Sequence, residues 1–574
     1  MLIGELVERR GLKSPDLVFW DAPEGRFTYG ELSAASERVA RALAAEGLTP
    51  GHHAAICAET GFDYVTAHFG AARAGLVLAH LNPRFTPSEL AALGAHCDAR
   101  LLFFGAPQTA AVAEARPALK ATRRFVRLPG PAGEAGAQPP PDWAMGWEEW
   151  LGQGEGRAFS PPDGLSPESP FQLLYTSGTT GAPKGALISH RAKIRQGLTH
   201  CLNLGLVEGD RVLGALPLYH QFAQWLMLAA VPLAGATVVY PAVFPVVSPA
   251  VSPAVSPSVS RRKAGSGFDP VSVLRALERE GITHLPAVPT MLYRLLDAPE
   301  PRAAECGAKG SFQAPALRCI VYGGAPIAPE RIPRLRERFP GVRLFQGFGQ
   351  TETGYCLGLM DADHDARPES IGRPDLFSRL RLVGIAGKDT AGKDTAGEDV
   401  PDGAVGEIVV STPYLMNGYY KAPAENAAFF AFGRQWGRTG DLAVRDGEGY
   451  YTLVGRKTEM VISGGVKIHP QEVEAVLRRH PGVAEAAVFG LPDPEWGESL
   501  AAAVIPADPC SPPTPERLAA HCRKVLAGYK IPRRFILMDD FPRTPSGKVQ
   551  KHRIRSQAME GEPDGTGPGQ VQEP

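Results

Sequence analysis

Apolar positions along the chain switch repeatedly between helical spacing and short continuous runs, and that alternation is the first guide to its fold. Thr28-Tyr29-Gly30-Glu31 reads as a capping box opening a helix with Leu32, Ala35, Val39 and Leu43 on one face. Thr86 and Glu89 repeat the device, with Pro87 at the first helical position, and CDARLLFF (97–104) then supplies strand material. Similar pairs follow at 271–280 with ITHLPAV, and at 329–339 with VRLFQGF. Helix alternating with strand in this way predicts an α/β architecture with mainly parallel sheets. Beyond Gly455 the pattern changes: QEVEAVLRRHPGV predicts an amphipathic helix, EAAVFGLPD and ESLAAAVIP predict strands, and PERLAAHCRKVLAGYKIP predicts a helix ending at a proline. The expected organisation is a large domain over 1–454, a small α+β domain over 455–555, and a disordered tail at 556–574, where apolar residues nearly vanish.

Between Arg211 and Arg261 there is no Asp, Glu, Lys or Arg. Pro232, Gly235, Pro241 and Pro245 cut its apolar part into pieces shorter than the ~20 residues a spanning helix needs. A buried helix followed by a buried strand, AGATVVY, is therefore expected, with no integral membrane segment. Two tandem repeats, VSPAVSPAVSPSVS at 247–260 and AGKDTAGKDTAGED at 386–399, are too short for a solenoid. They read as surface insertions, the first extended and Pro-rich, the second a polar hairpin or loop extension.

At 574 residues the chain exceeds one ordinary core of about 150 residues, so several compact units are expected. Lys+Arg of 60 against Asp+Glu of 61 leaves a formal charge of −1, which excludes long-range attraction to nucleic acid or an anionic membrane. The 8 cysteines contain no C-x-x-C pair and no histidine at zinc-ligand spacing, so reduced thiols are expected. Glu5, Glu8, Arg9 and Arg10 interrupt any signal-peptide core, and a cytoplasmic location follows as the expectation.

The densest chemistry lies at 175–190, YTSGTTGAPKGALISH. Gly178, Gly181 and Gly185 let backbone N–H groups converge on an anion, Ser177, Thr179 and Thr180 add hydroxyls, and Lys184 adds charge. The Gly-Lys-Ser/Thr ending of the common P-loop is missing, which disfavours that class of kinase or ATPase. On composition alone a surface turn is the competing reading; the apolar run FQLLY in front favours a strand followed by a phosphate loop.

Further motifs are FQGFGQTETG (345–354), VYGGAPI (321–327), TGDLA with Asp441, GRKTEMVISGGVKIHP with Arg456, Gly464 and Gly465, and PRTPSGKVQK with Lys548. Taken in chain order with YTSGTTGAPKG, from about Phe27 to Lys551, they resemble the adenylate-forming superfamily of acyl-CoA synthetases, peptide-synthetase adenylation domains and beetle luciferases. The resemblance implies a large AMP-binding domain of several subdomains with a small mobile C-terminal domain. It also implies ATP, Mg²⁺ and CoA as reactants, and leaves a homodimer open.

Within that resemblance Thr176, Ser177, Gly178, Thr179, Thr180, Gly181 and Lys184 are implied to hold the β/γ-phosphates, and Glu352 to hold Mg²⁺. Gly323, Gly324 and Ala325 lie along adenine and acyl group, with Gly347, Phe348, Gly349, Gln350 and Thr351 beside them. Phe348 stands where tyrosine is usual, so stacking persists without the hydroxyl. Asp441 and Arg456 are implied to bind ribose; read alone, they could be a turn residue and a surface ion pair. Lys548 is implied to bridge the attacking carboxylate and the α-phosphate. In the thioester step Gly464 and Gly465 would let the pantetheine arm pass. The hinge position, commonly Asp or Lys, is Thr458, followed by Glu459; either Thr458 is an uncharged pivot or the pivot is displaced by one residue.

Neither half-reaction needs a general base. A carboxylic acid of pKa about 4 is already ionised at neutral pH, and a thiol of pKa about 8.5 supplies some thiolate against a good leaving group. Free CoA is the expected acceptor. His220 matches an aromatic or histidine gate; a packed structural histidine is the alternative. Phe222, Trp225, Met227 and Met291 nearby in sequence make the acid pocket apolar, so medium- or long-chain fatty acids are expected first and aryl or cyclic acids second. A nucleotide-binding protein without turnover is the reading from another class, and joint retention of Lys184, Glu352, Asp441, Arg456 and Lys548 argues against it.

Overall fold

The computed structural model describes residues 1–129, 139–176, 183–241, 268–299, 312–325, 327–385, 397–463, 466–493, 496–543 and 549–560. The described chain forms two compact units, one of Met1–Gly178, Ala182–Arg379 and Ser411–Gly437, the other of Leu380–Val410 and Arg438–Pro574.

Two sheets build the first unit. One runs in the order Ser370–Pro374, Gly354–Leu359, Arg343–Gln350, Cys319–Gly323, His284–Ala287, Arg211–Leu213, Thr237–Val239, Val18–Ala22, Gly25–Thr28. Its middle, from Arg343–Gln350 to Val18–Ala22, is parallel throughout. The other runs Gly418–Tyr419, Lys184–Ser189, Pro170–Thr176, Val77–His80, His53–Cys57, Leu101–Phe104, Arg124–Arg127, Met145–Gly146. The first three of these strands are antiparallel to one another and the rest parallel. The α/β expectation therefore holds, with antiparallel pairs at 170–189 and 343–359, where chemistry was expected, and another at the sheet edge, where Val18–Ala22 meets Gly25–Thr28.

Local signals act as their chemistry dictates. Thr28 Oγ1 accepts from Glu31 N at 3.2 Å while Glu31 Oε2 accepts from Thr28 N at 2.7 Å, opening the helix Tyr29–Ala45. Thr86 and Glu89 do the same for Pro87–His96. Each cap satisfies donors that the helix leaves orphaned, a contribution of about 1 kcal/mol. The uncharged segment folds as expected: three helical pieces, Gln221–Trp225, Leu226–Ala230 and Val231–Ala234, followed by the strand Thr237–Val239, nearly all buried. Among the described residues no helix is long and apolar enough to cross a membrane.

The second unit contains the strands Arg379–Val383, Val405–Ser411, Gly437–Arg445 and Tyr451–Arg456, in that order. It also contains a five-stranded sheet in which Val483–Asp493 and Gly497–Pro506 pair antiparallel and Arg534–Leu537 joins in parallel. The helices Pro470–Arg478 and Pro515–Arg523 belong to this unit. The latter ends before the proline that the sequence suggested: Ala527 turns to extended backbone and a short 3-10 turn, Gly528–Lys530, carries the chain onward. Of the two repeats, 247–260 and 386–396 lie outside the described residues; the ends of the second approach each other, Val383 bridging Asp399.

Candidate active site

In the first unit four segments converge. Thr176 ends the strand Pro170–Thr176 and Lys184 begins its antiparallel neighbour, with the two residues in register. The intervening loop is thus anchored at both ends, although Ser177, Gly178, Thr179, Thr180 and Gly181 lie outside the described residues. Gly418–Tyr419 pairs with the outer side of Lys184–Ser189, Tyr419 opposite Ala186. The fourth segment is a hairpin: Arg343–Gln350 and Gly354–Leu359 run antiparallel, Gln350 faces Gly354, and Gln350 N donates to Thr353 Oγ1 at 3.1 Å. That turn carries Thr351 and Glu352.

The convergence point is the Glu352 carboxylate, in a residue 9% exposed. Its Oε1 accepts from the Thr176 hydroxyl at 3.1 Å and from the Tyr419 hydroxyl at 2.9 Å. Lys184 Nζ sits over the Tyr419 ring, 5.5 Å from its centroid. A buried carboxylate oriented by two hydroxyls beside a lysine is a preorganised charged centre. Among the described residues no group of three or more His, Cys, Asp or Glu could hold a metal ion. A single carboxylate such as Glu352 is the kind of hard oxygen ligand that Mg²⁺ takes alongside phosphate oxygens and water. Tyr419 was not singled out in the sequence; its only local signal is a glycine-led dipeptide, and its partner lies 67 positions away.

Gly323 and Gly347 are in parallel register, and a Cβ at Gly323 would come within 2.5 Å of the Gly347 carbonyl oxygen. Gly324 has φ +82°, open to glycine and costly for other residues. Both glycines are thus required by the backbone at the end of this parallel pair, next to Ala325, where strand ends in α/β sheets present ligands. Phe348 faces Leu357 across the hairpin, with a register shift between Phe348 and Gly349 that re-aims the chain.

His220 caps the helix Gln221–Trp225, its ring 4.6 Å from that of Tyr219. Gln221 and Gln224 of that helix accept from Lys193 Nζ at 3.1 and 3.3 Å. Gln224 also accepts from Gln172 at 2.7 Å and donates to Leu218 O at 2.6 Å. Lys193 is completely buried, and burial pushes its pKa well below the usual lysine value. The sequence signal for this lysine was available: it falls on the helix face shared with His190 and Gly197, both buried. Met227 is fully buried and accepts from Tyr240, a core role rather than a surface for substrate.

In the second unit Asp441 and Arg456 face each other on neighbouring antiparallel strands, Arg456 Nε lying 2.9 Å from Asp441 Oδ1. Asp441 is 5% exposed, and its N–H donates to Thr439 Oγ1, which in turn donates to Ile408 O. The two residues form a cross-strand ion pair, with the Arg456 side chain 34% exposed. Thr458 sits in the one-turn segment Lys457–Glu459 directly after Arg456. The strands Val461–Ser463 and Val466–Ile468 pair with Ser463 opposite Val466; Gly464, Gly465 and Lys548 lie outside the described residues.

Comparison with known proteins identifies the family of the chain. The family model described as AMP-binding enzyme matches residues 7–420, and that of the AMP-binding enzyme C-terminal domain matches 472–548. A feruloyl-CoA synthase from Amycolatopsis sp is 33% identical over 554 residues, spanning 96% of this chain and 98% of that protein. A long-chain-fatty-acid–CoA ligase from Thermus thermophilus is 31% identical over 547 residues, spanning 93% and 90%. The crystal structure of ATP-bound MatB from Rhodopseudomonas palustris superposes with a TM-score of 0.79 at 26% identity, covering 97% of this chain and 99% of its own.

Proposed function

Because the chain belongs to the AMP-binding enzyme family, as an AMP-forming acid–thiol ligase, we propose that it activates a hydrophobic carboxylic acid with ATP and transfers the acyl group to CoA. The observation that carries this reading is the Glu352 carboxylate held by Thr176 and Tyr419 beside Lys184.

In the first half-reaction the substrate carboxylate attacks the α-phosphorus of ATP and pyrophosphate leaves, so the demand on the protein is positioning and charge neutralisation. Lys184 and the loop from Thr176 take the β/γ-phosphates, Asp441 and Arg456 take the ribose hydroxyls, and Phe348 with Gly323, Gly324 and Ala325 takes adenine. Mg²⁺, when bound, supplies further neutralisation of phosphate charge, with Glu352 as its protein ligand. Lys548 bridges carboxylate and α-phosphate. In the second half-reaction residues 455–555 turn about Thr458, withdrawing Lys548 and bringing Gly464 and Gly465 to the pantetheine arm. The thiol displaces AMP from the acyl adenylate.

The acid we propose first is a medium- or long-chain fatty acid, supported by the apolar residues around His220 and by the substrate named for the Thermus relative. An aryl acid is the second reading, favoured by the feruloyl-CoA synthase relative. Release of AMP and pyrophosphate, measured with fatty, aryl and amino acids, each with and without CoA, tests both. CoA-dependent turnover on one class names the substrate. Exchange without CoA turnover points to another acceptor, and silence throughout overturns the proposal.

A further inference from the structure

The helix His190–Leu204 presents Lys193, Gln196, Gly197 and His200 on one buried face. Lys193 is satisfied by Gln221 and Gln224, but the row beyond it is not. Gln196, His200 and Trp225 are 2%, 4% and 8% exposed. Among the described residues Gln196 Nε2, both ring nitrogens of His200 and Trp225 Nε1 have no hydrogen-bond partner. A buried donor or acceptor left unpaired forfeits the hydrogen bonds it made in water, and folds seldom do this several times in one place.

These side chains lie between the segment that follows His220 and the hairpin that carries Glu352. The His200 ring stacks on Trp225, with centroids 5.7 Å apart and planes at 22°, and meets the Tyr355 ring at 5.2 Å. Tyr355 in turn flanks Gly347, where an added Cβ would stand 3.4 Å from its ring. Gln196 precedes His200 by one helical turn, about 6 Å along the axis. An added Cβ at Gly354, two residues after Glu352, would stand 3.2 Å from the Gln196 amide oxygen. The row therefore runs from beside the Glu352 turn to the stacked pair of His200 and Trp225.

The donors and acceptors of that pair select one kind of group. Burial pushes the pKa of His200 down to about 4, so at neutral pH its ring is uncharged and carries one N–H and one lone pair. Trp225 offers an N–H alone, and Gln196 Nε2 adds further donors along the row. An alkyl terminus would leave all of them unpaired. A carbonyl or carboxylate, which only accepts, would leave the imidazole lone pair unpaired. A hydroxyl donates to that lone pair and accepts from an N–H. We propose that His200 and Trp225 receive a hydroxyl at the far end of the acid, so that the site selects hydroxylated carboxylic acids over their unsubstituted counterparts. The inference rests on the ligase reading above and narrows both acid classes named there to their hydroxylated members.

The test uses the full chain as wild type, His200→Phe, which keeps a ring against Trp225 and loses both nitrogens, and Trp225→Phe, which loses the N–H. CoA-dependent AMP release gives kcat/KM on two matched pairs, para-hydroxycinnamate against cinnamate and ω-hydroxydecanoate against decanoate, and a thermal melt reads stability. Wild type should favour the hydroxylated member of at least one pair by about 10²-fold, because the unsubstituted acid leaves buried polar groups unpaired. His200→Phe should cut that preference to within about threefold, through loss on the hydroxylated acid, and should hold or raise the thermal midpoint, since an apolar ring replaces a polar one without a partner. Trp225→Phe should lower the preference to a smaller degree, and it serves if His200→Phe does not fold. If wild type turns acids over with CoA but treats both members of each pair alike or favours the unsubstituted one, this inference falls and the ligase reading stands. The same holds if both variants keep the preference, or if His200→Phe melts early and loses activity equally on both members, which would mark His200 as a core residue. If no fatty, aryl or amino acid is turned over, both fall.

Discussion

Thr176 and Glu352, 176 positions apart in the chain, share a hydrogen bond of 3.1 Å from the threonine hydroxyl to the carboxylate. Glu352→Gln keeps the shape and both hydroxyl donors' partner but removes the charge, so folding should change little. Adenylation should fall by about 10²–10³-fold, the scale of losing one preorganised electrostatic group. Pyrophosphate exchange alongside a thermal melt checks it; an exchange rate within a few-fold of wild type would remove Glu352 from the chemistry.

Tyr419 provides a finer probe of the same carboxylate. Tyr419→Phe retains the ring under Lys184 and removes the 2.9 Å bond to Glu352. A neutral donor to a charged acceptor contributes about 1.5 kcal/mol, so a loss of roughly tenfold in adenylation is expected, with thioester formation from supplied acyl adenylate unchanged. Equal losses in both steps would mean that Tyr419 serves the fold and not the phosphates.

The route by which the sequence reveals Glu352 but not Tyr419 is physical. Glycines and hydroxyls at 175–190, and the glycine-hinged segment 345–354, advertise themselves because a backbone that must approach a ligand restricts residue type locally. The capping residues at Thr28 and Thr86 are legible for the same reason: cap and partner are three positions apart. Tyr419, Gln224 and His200 gain their meaning from partners that are distant in the chain or one turn removed, and no local spacing encodes them. The early end of the helix Pro515–Arg523 was missed because its periodicity continues past the point where the backbone at Ala527 leaves the helical region.

Asp441 and Arg456 lend themselves to a binding test. Asp441→Asn preserves volume and the bond from its own N–H to Thr439, but weakens the charge-assisted pair with Arg456 and the acceptance of ribose hydroxyls. The KM for ATP should rise by about tenfold, the loss expected for a hydrogen bond to a charged group, while the KM for the acid stays the same. A matching rise for both substrates would point to a disturbed fold, and a melt on the same sample would show it.

Acidification should destabilise the fold through its buried histidines. Burial lowers the pKa of His80 to about 3 and of His190 and His200 to about 4, and also holds that of His68 well below its usual value. In the unfolded chain each takes up a proton near pH 6.5; in the folded chain burial keeps it neutral to well below that. Between those values the unfolded state binds more protons, so stability falls as pH falls, by up to about 1.4 kcal/mol per pH unit for each histidine. Glu59 and Asp63 act in the opposite sense: burial raises them to about 7 and about 6, so the folded state takes up their protons first and gains stability as pH falls through those values. Four histidines against two carboxyls leave a net loss. The urea midpoint at constant ionic strength should therefore be lower at pH 5.5 than at pH 7.5, and an equal or higher midpoint at pH 5.5 would show that these histidines are protonated within the fold.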